Sequence, residues 1–331
     1  MVVLKNGRGR AENLMREEDV VAAIRATFAR YGVAGEEDDD DCSRIDQLLA
    51  SHVTTDVVVE GVDFDRALYP LRYAGQRALA QNVSDLFAND CEPVGFLQAL
   101  CVPPHMGLPD VVAFCDGMAR LAGALGLPLL GGDLSRTDGP LTCAITALGR
   151  APGLALSRRG ARVSQGVWLT GPVGGSAAGL RVLQRDRPGD VEDSFWRWRQ
   201  SLPLMEQVAV RAHLEPSVVH HLERLSDYAV AAIDISDGLA RDASRLAKSS
   251  GVAIDLDTLA AGIDRAAGAT LHDALGGGED WVLLFAVPEG LTPEGCCRVG
   301  TVVDGPAGAV WHDGVRVDER GHDHFAGRSH S

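Results

Sequence analysis

Positive charge is in short supply. Against 46 Asp and Glu the chain sets 31 Lys and Arg, a formal net charge of −15 at pH 7 over 331 residues. Nonspecific nucleic-acid binding needs a basic footprint, so this balance argues against that class. No apolar run approaches the roughly 20 residues that span a bilayer, and the N-terminus carries no secretory apolar stretch. No membrane role and a cytoplasmic location are therefore expected, and the sequon Asn82-Val83-Ser84 carries no meaning there. The seven cysteines (Cys42, Cys91, Cys101, Cys115, Cys143, Cys296, Cys297) are odd in number and lack C-x-x-C spacing. Buried reduced thiols are the expectation. Neither a Ser-His-Asp nor a Cys-His arrangement emerges. The glycine-rich stretch Gly171-Pro-Val-Gly-Gly-Ser-Ala-Ala-Gly179 lacks the lysine of a P-loop, which favours turn geometry over a phosphate cradle.

What is present is a globular composition, 46% hydrophobic and 23% charged, with 38 glycines that suggest tight turns or close backbone approaches to a ligand. The length points to two domains. An acidic protein that handles anionic substrates needs metal ions to reconcile the two. Residues 1–15 read as a loose tail and 17–31 as an amphipathic helix; together, 1–35 precede the folded body. The acidic run 36–42 is a loop, solvated or metal-binding. Then comes a β-α-β-α-β rhythm: strand 52–61, helix 78–90, strand 95–102, helix 109–125, strand 141–148, with aspartates where strands end. A Pro-, Gly- and Arg-rich loop near 151–160 separates the 36–150 and 160–331 domains. In the second half, strands are expected at 167–170, 228–235, 253–256 and 281–287, a helix from 239 to 250, and a surface excursion at 186–199.

The helix Ala78-Leu-Ala-Gln-Asn-Val-Ser-Asp-Leu-Phe-Ala-Asn-Asp90 organises this half. Leu79, Val83, Leu86 and Phe87 form a core stripe at helical spacing. Ala78, Gln81, Asp85, Ala88 and Asn89 form a small, nearly neutral face with one carboxylate. Such a face admits close approach of a ligand and invites a cation. Asp41, Asp56, Asp133, Asp234 and Asp237 lie at element ends or on similarly sparse faces. Singly, each fits a cap or turn, and Ser236 and Asp237 suit the start of the following helix. Together they are harder to explain without cations, because two carboxylates 4 Å apart repel by about 4 kcal/mol at an effective dielectric near 20. Hard oxygen ligands favour Mg²⁺, which is commonly held by few carboxylates plus nucleotide phosphates.

Six motifs occur in order: Val53-Thr-Thr-Asp56 with Val59-Glu-Gly61, Asn82-Val-Ser-Asp-Leu86, Gly131-Gly-Asp133, Asp234-Ile-Ser-Asp-Gly-Leu239, Gly278-Glu-Asp280, and Gly321-His-Asp-His-Phe325. Over roughly 40–326 the chain resembles the thiamine-monophosphate kinases of the aminoimidazole ribonucleotide synthetase-like superfamily. The resemblance implies a two-domain α/β (α+β) fold whose N-terminal sheet dimerises, with a C-terminal α/β domain. It implies ATP-dependent, Mg-assisted in-line phosphorylation of thiamine monophosphate to thiamine diphosphate by a homodimer. Metals would be held by Asp41, Thr54, Thr55, Asp56, Asp85, Asp133, Asp234 and Asp237. ATP would meet Gly132, Asp133, Arg158 and Ser236, with Asp85 and Arg158 catalytic. Asp63, Glu279 and His322 would meet the acceptor. Several positions depart from the family pattern. Asp63 replaces a histidine, Asn89-Asp90 replaces Met-Gly, and His322 replaces a ring-stacking aromatic. Asp39-Asp40-Asp41 stands for Gly-Asp-Asp, and Val163-Ser164-Gln165 for Pro-Gly-Asp. Two other readings stay open: a kinase of the same fold for another small phosphorylated metabolite, and a non-catalytic nucleotide-binding dimer.

Overall fold

The computed structural model describes residues 17–33, 52–218 and 224–317. The acidic run with Asp41 and the final motif with His322 lie outside the described residues.

Helix α1 (Glu17–Ala29) precedes strand β1 (His52–Val59), helix α2 (Leu71–Ala88), strand β2 (Glu92–Val102), helix α3 (Leu108–Leu125) and strands β3 (Leu129–Arg136) and β4 (Thr142–Arg150). The strands form a sheet in the order β1-β4-β2-β3, antiparallel except for the β2–β3 pair. Strand alternation decides which side chains reach the interior. In β1, Thr54, Asp56 and Val58 turn inward while Val53, Thr55 and Val57 are exposed on the outer face. Helix α3 has clear boundaries. Asp110 accepts from the Gly107 backbone N–H at 2.9 Å, Pro109 sits in the first turn, and Gly126 ends the helix at φ 64°.

The second half continues through β5 (Gly166–Leu169), α4 (Gly175–Asp186), α5 (Glu192–Ser201), α6 (Leu204–Leu214), β6 (Ala231–Asp234), α7 (Leu239–Ser250), β7 (Ala253–Asp255), α8 (Leu271–Gly276), β8 (Leu283–Val287), β9 (Cys297–Val303), β10 (Val310–His312) and β11 (Val315–Arg316). Its strands make a mixed sheet in the order β11-β10-β7-β9-β5-β8-β6. Strand β8 is buried at every residue, as a strand covered on both faces should be. Helix α7 ends at Gly251 with φ 72°, as its sequence suggests.

Residues 186–199 lie largely at the surface, as expected, but α5 anchors them through Phe195, which is fully buried 5.6 Å from the Tyr73 ring and 5.2 Å from Trp198. Charges and two further tryptophans around it obscure which aromatic is the buried one. Two expectations need correction. Asp133 does not end a strand but lies within β3. Nor is Ala78 on an open face: α2 is buried nearly all round, with Ala78, Leu79, Asn82, Val83 and Ser84 all inaccessible. One side of α2 packs on the first sheet and α3, and the other on β6, β8 and α6 of the second half.

The α2–α3 crossing is close because two glycines face it. A Cβ at Gly117 would fall onto the Arg72 carbonyl oxygen, and one at Gly75 onto the Phe114 carbonyl oxygen. Both obstacles are helical backbone, which cannot move without parting the helices. Gly117→Ala is expected to destabilise the fold by about 1–3 kcal/mol, the usual range for overpacking, measured by chemical denaturation. Unchanged stability would show that the crossing yields easily.

Candidate active site

At four-residue spacing α2 presents Arg77, Gln81 and Asp85 to a cavity of about 630 Å³, which Asp56, Asp63, Asp234, Ser236, Asp237 and Glu279 also line. A second cavity of about 240 Å³ is lined by Thr54 and Asn89 and by Arg158. Asp85 and Asp234 line both. These two carboxylates are thus the partition between a large acidic chamber and a smaller one bearing a guanidinium.

Each member of the partition is held by a hydroxyl. Thr54 Oγ1 donates to Asp85 Oδ2 at 2.6 Å, and Ser84 Oγ donates to Asp234 Oδ2 at 3.0 Å. The second bond links α2 to the end of β6 across the two halves. Burial, first, and then the Asp85 and Asp242 charges raise the pKa of Asp234. Asp85 is also raised by burial, against the lowering pull of Thr54 and Arg158. Burial and then Asp85 push Asp56 up to about 6. Three carboxyls that resist ionisation in the bare protein suit cations, which would reverse that preference. Among the described residues no three His, Cys, Asp or Glu side chains form a closed metal cage. Mg²⁺ needs only one or two carboxylates, with water and phosphate completing its shell. The donor set of Asp56, Asp85, Asp234 and Thr54 Oγ1 is all hard oxygen.

The other expected residues are distributed unevenly. Thr55 faces outward and hydrogen-bonds Ile145 O and Thr146 across the strand pair. Asp237 lines the large cavity but is paired with Arg245 at 2.6 Å. Neither Ser236 nor Asp237 caps α7. Asp242, one turn into the helix, accepts from the N–H groups of Ser236, Asp237 and Gly238 at 3.0–3.2 Å. Asp63 gives one oxygen to the Val59 N–H at 2.8 Å, which closes the turn after β1. Gly132 and Asp133 line neither cavity. Asp133 pairs in register with Ala99, on the outer face and at the opposite edge of the sheet from β1. Gly132 leaves no room for a Cβ, which would meet the Gln98 carbonyl oxygen. The glycine-rich start of α4 is already filled. Asp280 accepts from the N–H groups of Gly174 and Ser176 at 2.7 and 3.1 Å, so a phosphate has no place there.

A profile of the AIR synthase related protein, N-terminal domain, matches residues 37–151. Thiamine-monophosphate kinase of Salmonella typhimurium is 36% identical over 264 residues, 76% of this chain and 75% of that one. The chain belongs to the thiamine-monophosphate kinase family. The thiamine-monophosphate kinase structure from Stenotrophomonas maltophilia K279a superposes with a TM-score of 0.75 at 28% identity, over 90% of this chain and 96% of that one. A structure of AaThiL complexed with AMPPCP and TMP gives 0.71 at 28% identity, over 94% and 99%. The fold read from the six motifs is the observed one.

Against that family, the Asn89-Asp90 departure has a structural role that the sequence concealed. Asp90 sits at φ 56°, a left-handed conformation that glycine adopts freely and Asp tolerates. Its carboxylate accepts from the N–H groups of Leu225 and Ser226 at 2.9 and 3.2 Å. Asn89 exchanges hydrogen bonds with Leu156, two residues before Arg158: Nδ2 to O at 2.6 Å, and Leu156 N to Asn89 O at 3.1 Å. Arg158 is further anchored where Ser250 Oγ donates to its carbonyl at 2.9 Å. Sequence reading also missed Arg77, His213, Tyr69 and Trp281 in the wall of the large cavity. Arg77 was within reach, because it lies one turn before Gln81 on the face that carries Asp85.

The raised carboxyls have a consequence for the metal-free protein. The folded chain keeps a proton on Asp234 at pH values where the unfolded chain has lost it. The resulting penalty to stability is absent below the ordinary carboxylate pKa of about 4 and grows as pH rises above it. Asp234→Asn, measured by thermal unfolding in chelator, is expected to raise the melting temperature more at pH 8 than at pH 5. An equal effect at both pH values would contradict the assignment.

Proposed function

We propose that the chain transfers the γ-phosphoryl group of ATP to the phosphate of thiamine monophosphate, giving thiamine diphosphate. The observation that carries this reading is the shared partition of Asp85 and Asp234 between two cavities, in a chain of the thiamine-monophosphate kinase family. The smaller cavity, with Arg158 and the Thr54 hydroxyl, suits the polyphosphate end of the donor. The larger one, with Asp63 and Glu279, suits a phosphorylated acceptor whose ring system is cationic. The reacting phosphoryl group passes between them, beside Asp85.

The acceptor phosphate is anionic at neutral pH, so no general base is needed to expose a nucleophile. The demands are alignment and neutralisation of two anions that approach each other. Arg158 supplies a fixed positive charge at the donor end. Thr54 and Ser84 fix the orientation of Asp85 and Asp234, so their oxygens need no reorganisation during the reaction. Bound Mg²⁺, held by Asp56, Asp85 and Asp234, would supply the remaining charge neutralisation.

Dimerisation and cytoplasmic location belong to the same reading. The outer face of the first sheet exposes Val53 (65%), Val57 (51%) and Leu97 (39%), apolar surface suited to a second copy. Asp133 lies on that face, so any role toward ATP and metal would be exercised in the dimer. The halves 36–150 and 160–331 are proposed as its two domains. No helix among the described residues is long and apolar enough to cross a membrane.

Purified protein with Mg-ATP and thiamine monophosphate is expected to form thiamine diphosphate, followed chromatographically. Asp85→Asn should lower kcat by about 100-fold or more, the scale for loss of a group stabilising transition-state charge. ATP binding without turnover of thiamine monophosphate would instead favour another acceptor or a non-catalytic role.

A further inference from the structure

Arg77 is buried, yet the reaction as described leaves it without a task. Its guanidinium is held on two edges and one face. One edge pairs with Glu279 Oε1 at 2.7 Å. The other donates to the His213 carbonyl and lies 3.3 Å from His213 Nδ1. The face stacks 5.0 Å from the centre of the Trp281 ring. Arginine has no acceptor atoms, and Ser176 Oγ also lies 3.0 Å from His213 Nδ1. With Arg77 directed at it, Nδ1 is an acceptor and the imidazole is neutral. Burial, first, and the Arg77 charge hold its pKa well below the usual histidine range. Glu279 is the carboxylate that ion-pairs with Arg77, while Tyr69 and Asp63 act on it at longer range.

Glu279 itself sits at φ 55°, an uncommon conformation for this residue, held by a hydrogen bond from its N–H to Ser236 O at 2.8 Å. Its side chain is 37% exposed and lines the large cavity. Charge balance for the buried Arg77 accounts for the pairing. The partial exposure of the carboxylate at the cavity wall also displays it toward a ligand. We propose that Arg77 is a positioning residue for the acceptor: it fixes the Glu279 carboxylate on the cavity wall and so sets affinity for a phosphorylated molecule with a cationic ring. The inference rests on the kinase reading above and adds a specificity role to it. Lysine could replace the charge but not the fork that reaches Glu279 and His213 together.

The test is steady-state kinetics on Arg77→Met, Arg77→Lys, Glu279→Gln and the double variant Arg77→Met/Glu279→Gln. Arg77→Met should raise KM for thiamine monophosphate by about tenfold, the scale of losing one fixed charged contact, while KM for ATP moves less than about twofold. Arg77→Lys should recover part of that loss. In the double variant Arg77→Met should add nothing to the acceptor KM of Glu279→Gln, because its effect passes through that carboxylate. Equal rises in both KM values, or independent effects that multiply in the double variant, would overturn the assignment. If Arg77→Met does not fold, Arg77→Lys alone and on the Glu279→Gln background is read by the same criteria. Wild-type protein that leaves thiamine monophosphate unchanged would remove the kinase reading, and this assignment with it.

Discussion

The hydrogen bond from Ser84 to Asp234 is the contact on which the site depends. It is buried, it joins residues 150 positions apart, and it fixes the end of β6 against the C-terminal third of α2. A buried carboxylate needs a donor or a counter-charge, or it gives up its ionised form. Ser84 supplies the donor from one side, while Thr54 does the same for Asp85 next to it. Asp85 is thus held from within the first half, whereas Asp234 of the second half takes its side-chain donor from the first, across the junction of the two.

The same junction explains the use of small side chains. Close packing of α2 on α3 through Gly75 and Gly117 brings the helix deep into the fold. With its apolar stripe on the first sheet, its polar face meets the second half rather than water. Arg77, Gln81 and Asp85 then become cavity wall. Fixed carboxyl groups cap the helix starts nearby, Asp242 at α7 and Asp280 at α4. The N–H groups there are taken by the chain's own side chains, and external anions must be met by Arg158 and metal ions.

The sequence made much of this legible, for identifiable reasons. Strand β1 and helices α2, α3 and α7 follow from periodicity and glycine stops, which are local. The carboxylates Asp56, Asp85 and Asp234 stand out because each breaks a local preference, whether in a strand or on a sparse face. What stayed hidden depends on distant contacts. Phe195 is one of three aromatics set among charges, and only its contacts with Tyr73 and Trp198 show it to be core. Asp242 and Asp280 resemble surface acids until the N–H groups they accept from are in place. Asp237 reads as a free ligand until Arg245 is seen beside it. Asp90 looks like a lost glycine, but its carboxylate holds the backbone of Leu225 and Ser226.

Because α2 is common core to both halves, the chain has an order-of-synthesis problem. When Ser84 emerges from the ribosome, the β6 strand that covers this side of α2 has not been made. At about 5–20 residues per second, the 150 residues separating Ser84 from Asp234 take roughly 8–30 s to add. Throughout that interval the helix can pack against the first sheet but keeps one flank uncovered. The nascent first half therefore carries a helix flank that only the later-made second half can close.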